Sequence, residues 1–169
     1  FGDSSQGAEG SAGLANNTRG VFAIGYGQPA GASSSDTVEY VTINTLGNVA
    51  DFGNLTQGRW TLAALSSNTR GVFAGGASPS TENIIDYITI STVGNATDFG
   101  DLTVARKNAL SSSNSTTRGV FAGGYGGSPA AISNVIDYIT IATTGDATDF
   151  GDLTTAKQNI HTSVASNTT

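Results

Sequence analysis

The closely spaced carboxylates near residue 150 are the first candidates for a functional site in this chain. Asp146, Asp149 and Asp152 lie three residues apart, and closely spaced carboxylate oxygens suit a hard cation such as Ca²⁺. Acids recur in the same sequence context earlier in the chain, and there they can equally cap turns or pair with arginine side chains. Because such a cation needs about six oxygen ligands or more, we favour the structural role and predict no metal site and no cofactor.

Candidates for catalysis are few. His161 is the only histidine and follows the apolar Ile160, so a Ser-His-Asp triad would depend on this one side chain. The glycine-rich run at 123–127 is not followed by the Lys-Ser/Thr pair of a phosphate-binding loop. Paired carboxylates for glycoside hydrolysis are compatible with the composition, although no acid departs from the repeat pattern. We predict a non-catalytic protein, with a polysaccharide-degrading enzyme as the weaker alternative.

The segments that must position these residues are repeated. The segment 118–124, Arg-Gly-Val-Phe-Ala-Gly-Gly, recurs at 70–76 and, with one change, at 19–25. Each copy is followed by an acidic residue and Tyr, then by Asp-Phe-Gly, and then by a basic residue seven positions after that Phe. These positions are Tyr40, Tyr87 and Tyr138; Phe52, Phe99 and Phe150; and Arg59, Arg106 and Lys157. A period of about 50 residues indicates repeated supersecondary units.

Composition excludes several classes of partner. The net charge of −6 argues against nucleic acid and against an anionic membrane surface, because both attract basic proteins. No apolar run approaches the roughly 20 residues that span a bilayer, so we predict no membrane insertion. The chain has no Cys, which excludes disulfides and thiolate metal sites.

Each repeat contains four strand signals and no helix signal. In the first repeat, residues 19–25, 38–44, 50–55 and 60–65 combine β-branched or aromatic side chains with flanking Gly, Asn and Ser. Closely spaced Gly and β-branched residues disfavour helices. Four strands in about 50 residues, repeated, are typical of a propeller blade. The sequence therefore predicts an all-β protein of four-stranded antiparallel repeats.

The repeats resemble kelch-type blades at several positions. These are the Gly-Gly pair after the first strand (Gly75-Gly76 and Gly123-Gly124), the acid-Tyr pair in the second, an aromatic residue in the third and an Arg before the fourth. Phe stands where kelch repeats usually have Trp. The resemblance implies a kelch-like β-propeller of about three and a half blades: a half-blade of outer strands at 1–18, then blades at 19–69, 70–117 and 118–169. We expect them to be part of one larger propeller domain, or an array that pairs with neighbouring chains.

The repeats contain sequences such as Asp-Tyr-Ile-Thr-Ile and Gly-Asn-Ala-Thr-Asp-Phe-Gly-Asp-Leu-Thr. These sequences are similar to repeats in structural proteins of tailed bacteriophages, especially marine ones. That resemblance implies an extracellular virion protein of a tail fibre or surface appendage. Its partners would be other virion proteins or further copies of itself. A second hypothesis is a subunit of an extracellular or cell-surface filament that assembles through open β edges.

Loop length varies at one place in each repeat. The segment after the Gly-Gly position has 12 residues at 26–37, eight at 77–84 and 11 at 125–135, and such variation in repeat proteins collects on one face, often the binding face. Tyr and amide side chains suit sugars because they stack and donate hydrogen bonds. Candidate glycan contacts are Tyr26, Gln28, Glu82, Asn83 and Tyr125. The loops can equally be spacers, and Trp60 can either stack on a ligand or pack between sheets.

Overall fold

The computed structural model describes residues 2–27, 34–113 and 117–159, and their regular structure consists of strands without a helix. The strands are, in chain order, β1 (Ala8–Glu9), β2 (Ala12–Ala15), β3 (Arg19–Ala23), β4 (Tyr26–Gly27), β5 (Thr37–Thr42), β6 (Ala50–Asn54), β7 (Ala63–Ser66), β8 (Arg70–Ala74), β9 (Ile84–Thr89), β10 (Thr97–Asp101), β11 (Arg106–Lys107), β12 (Leu110–Ser113), β13 (Arg118–Ala122), β14 (Tyr125–Gly126), β15 (Ala131–Ile132), β16 (Val135–Thr140) and β17 (Thr148–Asp152). The prediction of an all-β protein is confirmed. No described segment is a helix long and apolar enough to cross a membrane.

Three four-stranded antiparallel sheets contain most of these strands. Sheet 1 has the order β2-β3-β5-β6, sheet 2 has β7-β8-β9-β10, and sheet 3 has β12-β13-β16-β17. Two small antiparallel sheets, β1-β4 and β11-β14-β15, lie beside them. The repeated sequence gives the same register in each main sheet, since Val21, Val72 and Val120 lie opposite Tyr40, Tyr87 and Tyr138.

The sheets are offset by one strand from the predicted repeat units, which began at each Arg-Gly pair. Strand β7, expected to close the unit 19–69, instead pairs with β8 and opens sheet 2. Likewise β2, placed in an outer half-blade at 1–18, pairs with β3. In sheets 1 and 2, the cause is the tight turn before the Arg-Gly pair, at 16–19 and 67–70. Asn16 Oδ1 accepts hydrogen bonds from the amides of Thr18 and Arg19 at 2.9 Å. Such side-chain to backbone bonds are typical of tight turns between paired strands.

A β-bulge lies at the aromatic residue of every last strand. The register between β5 and β6 shifts between Val38 and Glu39, at the position of Phe52, and equivalent shifts occur in sheets 2 and 3. The glycine after this aromatic has a φ of 139° at Gly53 and 141° at Gly100, a conformation that favours glycine. The bulge places an aromatic residue against the neighbouring sheet, and Phe52 and Phe99 are buried.

The three sheets pack face to face, so sheet 2 is buried on both sides. Its alternate residues enter two separate cores. The core with sheet 1 contains Leu14, Val21, Val38, Phe52, Ala64, Phe73 and Ile88, and the core with sheet 3 contains Leu65, Val72, Ile85, Phe99, Phe121 and Ile139. The first strands β2, β7 and β12 also contact one another in succession. The sheets are therefore closest together at their first strands.

Candidate functional site

A buried ion pair recurs at both junctions between sheets. We call the segments that lead into the sheets connectors: residues 2–11 before sheet 1, 55–62 before sheet 2 and 102–109 before sheet 3. Arg59 Nη2 lies 2.6 Å from Asp86 Oδ2, and Arg106 Nη2 lies 2.8 Å from Asp137 Oδ2. The four side chains have no exposed surface. Each arginine thus ties a connector to the third strand of the sheet that follows.

Burial dominates the acid-base properties of these pairs. It lowers the pKa of Arg59 and of Arg106, and it raises the pKa of Asp86. The opposite charge within each pair acts against these shifts but does not cancel them. The repeated, enclosed pairs therefore serve the junctions, and neither carboxylate is open to a substrate.

Four other acids accept hydrogen bonds from backbone amides. Asp51, Asp98 and Asp149 each accept a hydrogen bond from the amide of the glycine two residues later, at 3.0–3.2 Å. Asp146 Oδ1 accepts one from the amide of Asp101 at 3.1 Å. The described residues contain no group of three His, Asp or Glu side chains placed to hold a metal ion. Within the cluster at 146–152, Asp146 and Asp149 therefore accept hydrogen bonds from backbone amides.

The three variable loops begin at the same end of the stack. Tyr26 and Gly27 pair with β1, Tyr125 and Gly126 pair with β11, and Ala77 bridges to Trp60. Each loop therefore begins beside the connector that precedes its own sheet. Ser34 Oγ and Ser78 Oγ lie 2.9 Å apart, so the first two loops also contact each other. We call this end of the sheets the loop end.

An aromatic and cationic group lies at the loop end. The Tyr26 and Trp60 rings form an edge-to-face pair with centroids 6.2 Å apart, and Lys107 Nζ lies 4.7 Å from the Trp60 ring centroid. All three side chains are half-buried. Sequence reasoning named Tyr26, left Trp60 open and missed Lys107. A signal existed, since Lys107 is the one basic residue outside the repeated Arg and Lys positions.

The structure places three of the other predicted glycan contacts, Glu82, Asn83 and Tyr125. Glu82 and Asn83 lie at the base of their loop, where their carbonyls accept hydrogen bonds from the amides of Arg106 and Leu102 at 3.1 and 2.8 Å. Equivalent bonds occur at the neighbouring sheets, so this backbone is part of the repeat. Tyr125 is half-buried in β14, opposite Lys107. Gln28 and His161 lie outside the described residues.

A scan against protein-family models finds no match for this chain, and a search of curated proteins finds no significantly similar sequence. Function is therefore inferred from the residues and their geometry.

Proposed function

We propose that this protein is a non-catalytic structural and adhesive component of a phage virion, in a tail fibre or other surface appendage. Its loop end would contact host-surface glycans. The observation that carries the adhesive role is the group formed by Tyr26, Trp60 and Lys107. Aromatic faces stack on sugar rings, and a lysine can bind hydroxyl or acidic groups beside them.

We also propose that the sheets are kelch-like propeller blades. The close approach of β2, β7 and β12 supports this arrangement, because blades converge at the strands that surround a central axis. The kelch-like positions of the Gly-Gly and acid-Tyr pairs agree with it. A rigid stack suits adhesion, because a pre-organised surface loses little entropy on binding.

The proposed virion location is supported by the resemblance of the repeated sequences to those of phage structural proteins. Virions carry many copies of each appendage protein, and multiple copies turn weak single contacts into firm attachment. Other virion proteins or further copies of this chain would then be its partners. This role needs no catalytic activity.

Binding to an array of bacterial lipopolysaccharides and capsular polysaccharides tests the adhesive role. We expect the wild-type chain to bind some of them, and Trp60→Ala and Lys107→Ala to lose roughly tenfold or more in affinity. Leu46→Ala is the matched control, since Leu46 is 82% exposed in a turn at the opposite end of sheet 1. Equal losses from all three changes, or no binding at all, would contradict an adhesive loop end. Release of sugar fragments would favour the enzyme alternative.

The exposed faces at the two ends of the stack favour a filament subunit as the second candidate. Phe150 is 56% exposed, whereas its counterparts Phe52 and Phe99 are 2% and 3% exposed. On the opposite outer face, Phe22 is 39% exposed while Phe73 is fully buried. Assembly would then use sheet faces instead of strand edges. Concentration-dependent polymerisation in sedimentation experiments, abolished by Phe150→Ser, would support the filament; a monomer at all concentrations would exclude it.

A further inference from the structure

The outer face of sheet 1 lacks the arginine that is present at both junctions between sheets. Ala8 pairs with Gly27 in the same way as Arg106 pairs with Gly126, so Ala8 occupies the arginine position of the first connector. At the two junctions between sheets, Arg59 and Arg106 extend from this position to a carboxylate. The methyl group of Ala8 leaves the path of that side chain open.

The carboxylate that such an arginine would meet is present and buried. Glu39 lies opposite Phe22 in the register that places Asp86 opposite Phe73, and it is 3% exposed. Its carboxylate accepts hydrogen bonds from the hydroxyls of Ser4 and Ser5. These partners are neutral, whereas a buried carboxylate is best stabilised by a cation.

A cleft lies beside this carboxylate. Its volume is about 370 Å³, and its lining includes Ala8, Ser11, Phe22, Ile24, Glu39 and Val41. Apolar walls around one buried carboxylate suit a ligand with an apolar stem and a cationic head. At the junction of sheets 1 and 2, the side chain that fills the equivalent space is Arg59, which is fully buried.

We propose that this cleft binds a guanidinium group. At the junction of sheets 1 and 2, Arg59 Nη2 donates to Asp86 Oδ2 at 2.6 Å and Nη1 donates to the carbonyl of Ile84 at 2.9 Å. The corresponding acceptors at sheet 1 are the carboxylate of Glu39 and the carbonyl of Thr37, the first residue of β5 as Ile84 is of β9. A planar guanidinium satisfies two such acceptors at once, which a single ammonium group does less well. This site lies on the outer face of sheet 1, and its lining includes none of the side chains proposed to contact glycans.

Calorimetric titration with propylguanidinium tests the site, with propylammonium as the matched control cation. We expect saturable binding of propylguanidinium to the wild-type chain and weaker binding of propylammonium. Glu39→Gln should weaken binding about 10- to 100-fold, because it removes a charge-assisted hydrogen bond. Equal affinity for the two cations, or no saturable binding, would overturn the proposal.

Substitution at position 8 gives an independent test that does not depend on removing a buried group. Ala8→Arg should place the missing guanidinium in the cleft, raise the melting temperature and abolish propylguanidinium binding. Ala8→Leu is the control that adds bulk without charge. It should fail to reproduce the gain in melting temperature. The proposal fails if Ala8→Arg still binds propylguanidinium as the wild-type chain does, or if the two variants have equal melting temperatures.

Titration with N-acetyl-arginine-N-methylamide distinguishes the two sources of a guanidinium. Tighter binding of this compound than of propylguanidinium would indicate an arginine side chain from a partner protein. Tighter binding of propylguanidinium would indicate a small free cation. Either result supports a guanidinium site, provided that Glu39→Gln weakens it.

Discussion

Arg59 Nη2 lies 2.6 Å from Asp86 Oδ2, and both side chains are completely buried between sheets 1 and 2. Thr56 Oγ1 also donates a hydrogen bond to Asp86 Oδ1 at 2.6 Å. Because the arginine belongs to a connector and the aspartate to β9, the pair fixes how one sheet stacks on the next. A charge-assisted hydrogen bond of this kind is roughly twice as strong as one between neutral groups.

Removing the carboxylate of this pair should strongly destabilise the protein. We expect Asp86→Asn to lower the free energy of unfolding by about 3–5 kcal/mol, because it leaves the charge of Arg59 buried without a counter-ion. Urea unfolding followed by tryptophan fluorescence measures this change. Asp51→Asn is the control, since Asp51 is exposed and should cost less than about 1 kcal/mol. Equal effects at the two positions would contradict the role of the ion pair.

Stacking between sheets should make equivalent glycines unequally sensitive to substitution. A Cβ on Gly100 would lie 2.6 Å from the carbonyl oxygen of Gly145, whereas a Cβ on Gly151 would have no atom within 4 Å. Their φ angles are 141° and 132°, so the backbone strain of an alanine is similar at both. We expect Gly100→Ala to cost about 2 kcal/mol more than Gly151→Ala, measured by urea unfolding. Equal costs would mean that sheets 2 and 3 do not pack as described.

Replacing Asp146 should stabilise the protein at neutral pH but not at low pH. Burial, followed by the charges of Asp146 and Asp98, raises the pKa of Asp101. A carboxyl group with a raised pKa favours the folded state when protonated, and this contribution is lost as the pH rises through that pKa. Asp146→Asn keeps an acceptor for the amide of Asp101, as Asn95 does for Asn54 at 3.1 Å, and removes one repelling charge.

We expect this change to raise the free energy of unfolding at pH 7 by about 0.3 kcal/mol after solvent screening. The gain should disappear as the pH falls through the pKa of Asp101, and it should shrink at high salt. Thermal unfolding across pH measures both effects. Asp152→Asn removes the same charge from an exposed residue in sheet 3 and should give a smaller gain. A gain from Asp146→Asn that persists at low pH would be inconsistent with charge repulsion.

Relieving backbone strain at Thr61 should stabilise the chain. Thr61 has a φ of 55°, and the equivalent residues Asn108 and Asn159 have φ values of 55° and 57°. A β-branched residue is strained in this left-handed region, whereas asparagine tolerates it. We expect Thr61→Asn to add about 1 kcal/mol to the free energy of unfolding. The reverse change, Asn108→Thr, should cost a similar amount, and no effect from either change would exclude strain.

The sequence by itself determined the strands and their repetition. Regular alternation around Val21, Val72 and Val120 and the recurring turn residues fixed which segments form sheets, because pleated strands and hairpin turns depend on local residue type. The sequence also indicated that most charges are structural, since they recur in every unit. The predicted units begin at each Arg-Gly pair, whereas sheets 1 and 2 begin one strand earlier. The spacing of the repeats does not reveal which neighbouring strands pair.

Only the tertiary structure decided how the units meet. Arg59 and Asp86 are 27 residues apart, and no local pattern links them until two sheets stack. The same stacking brings Tyr26, Trp60 and Lys107 together from three separate segments, and it places Glu39 beside the cleft left by Ala8. Contacts between distant segments depend on how the faces of the sheets pack in three dimensions. Because hydrophobic packing is non-directional, it leaves no characteristic residue spacing in the sequence.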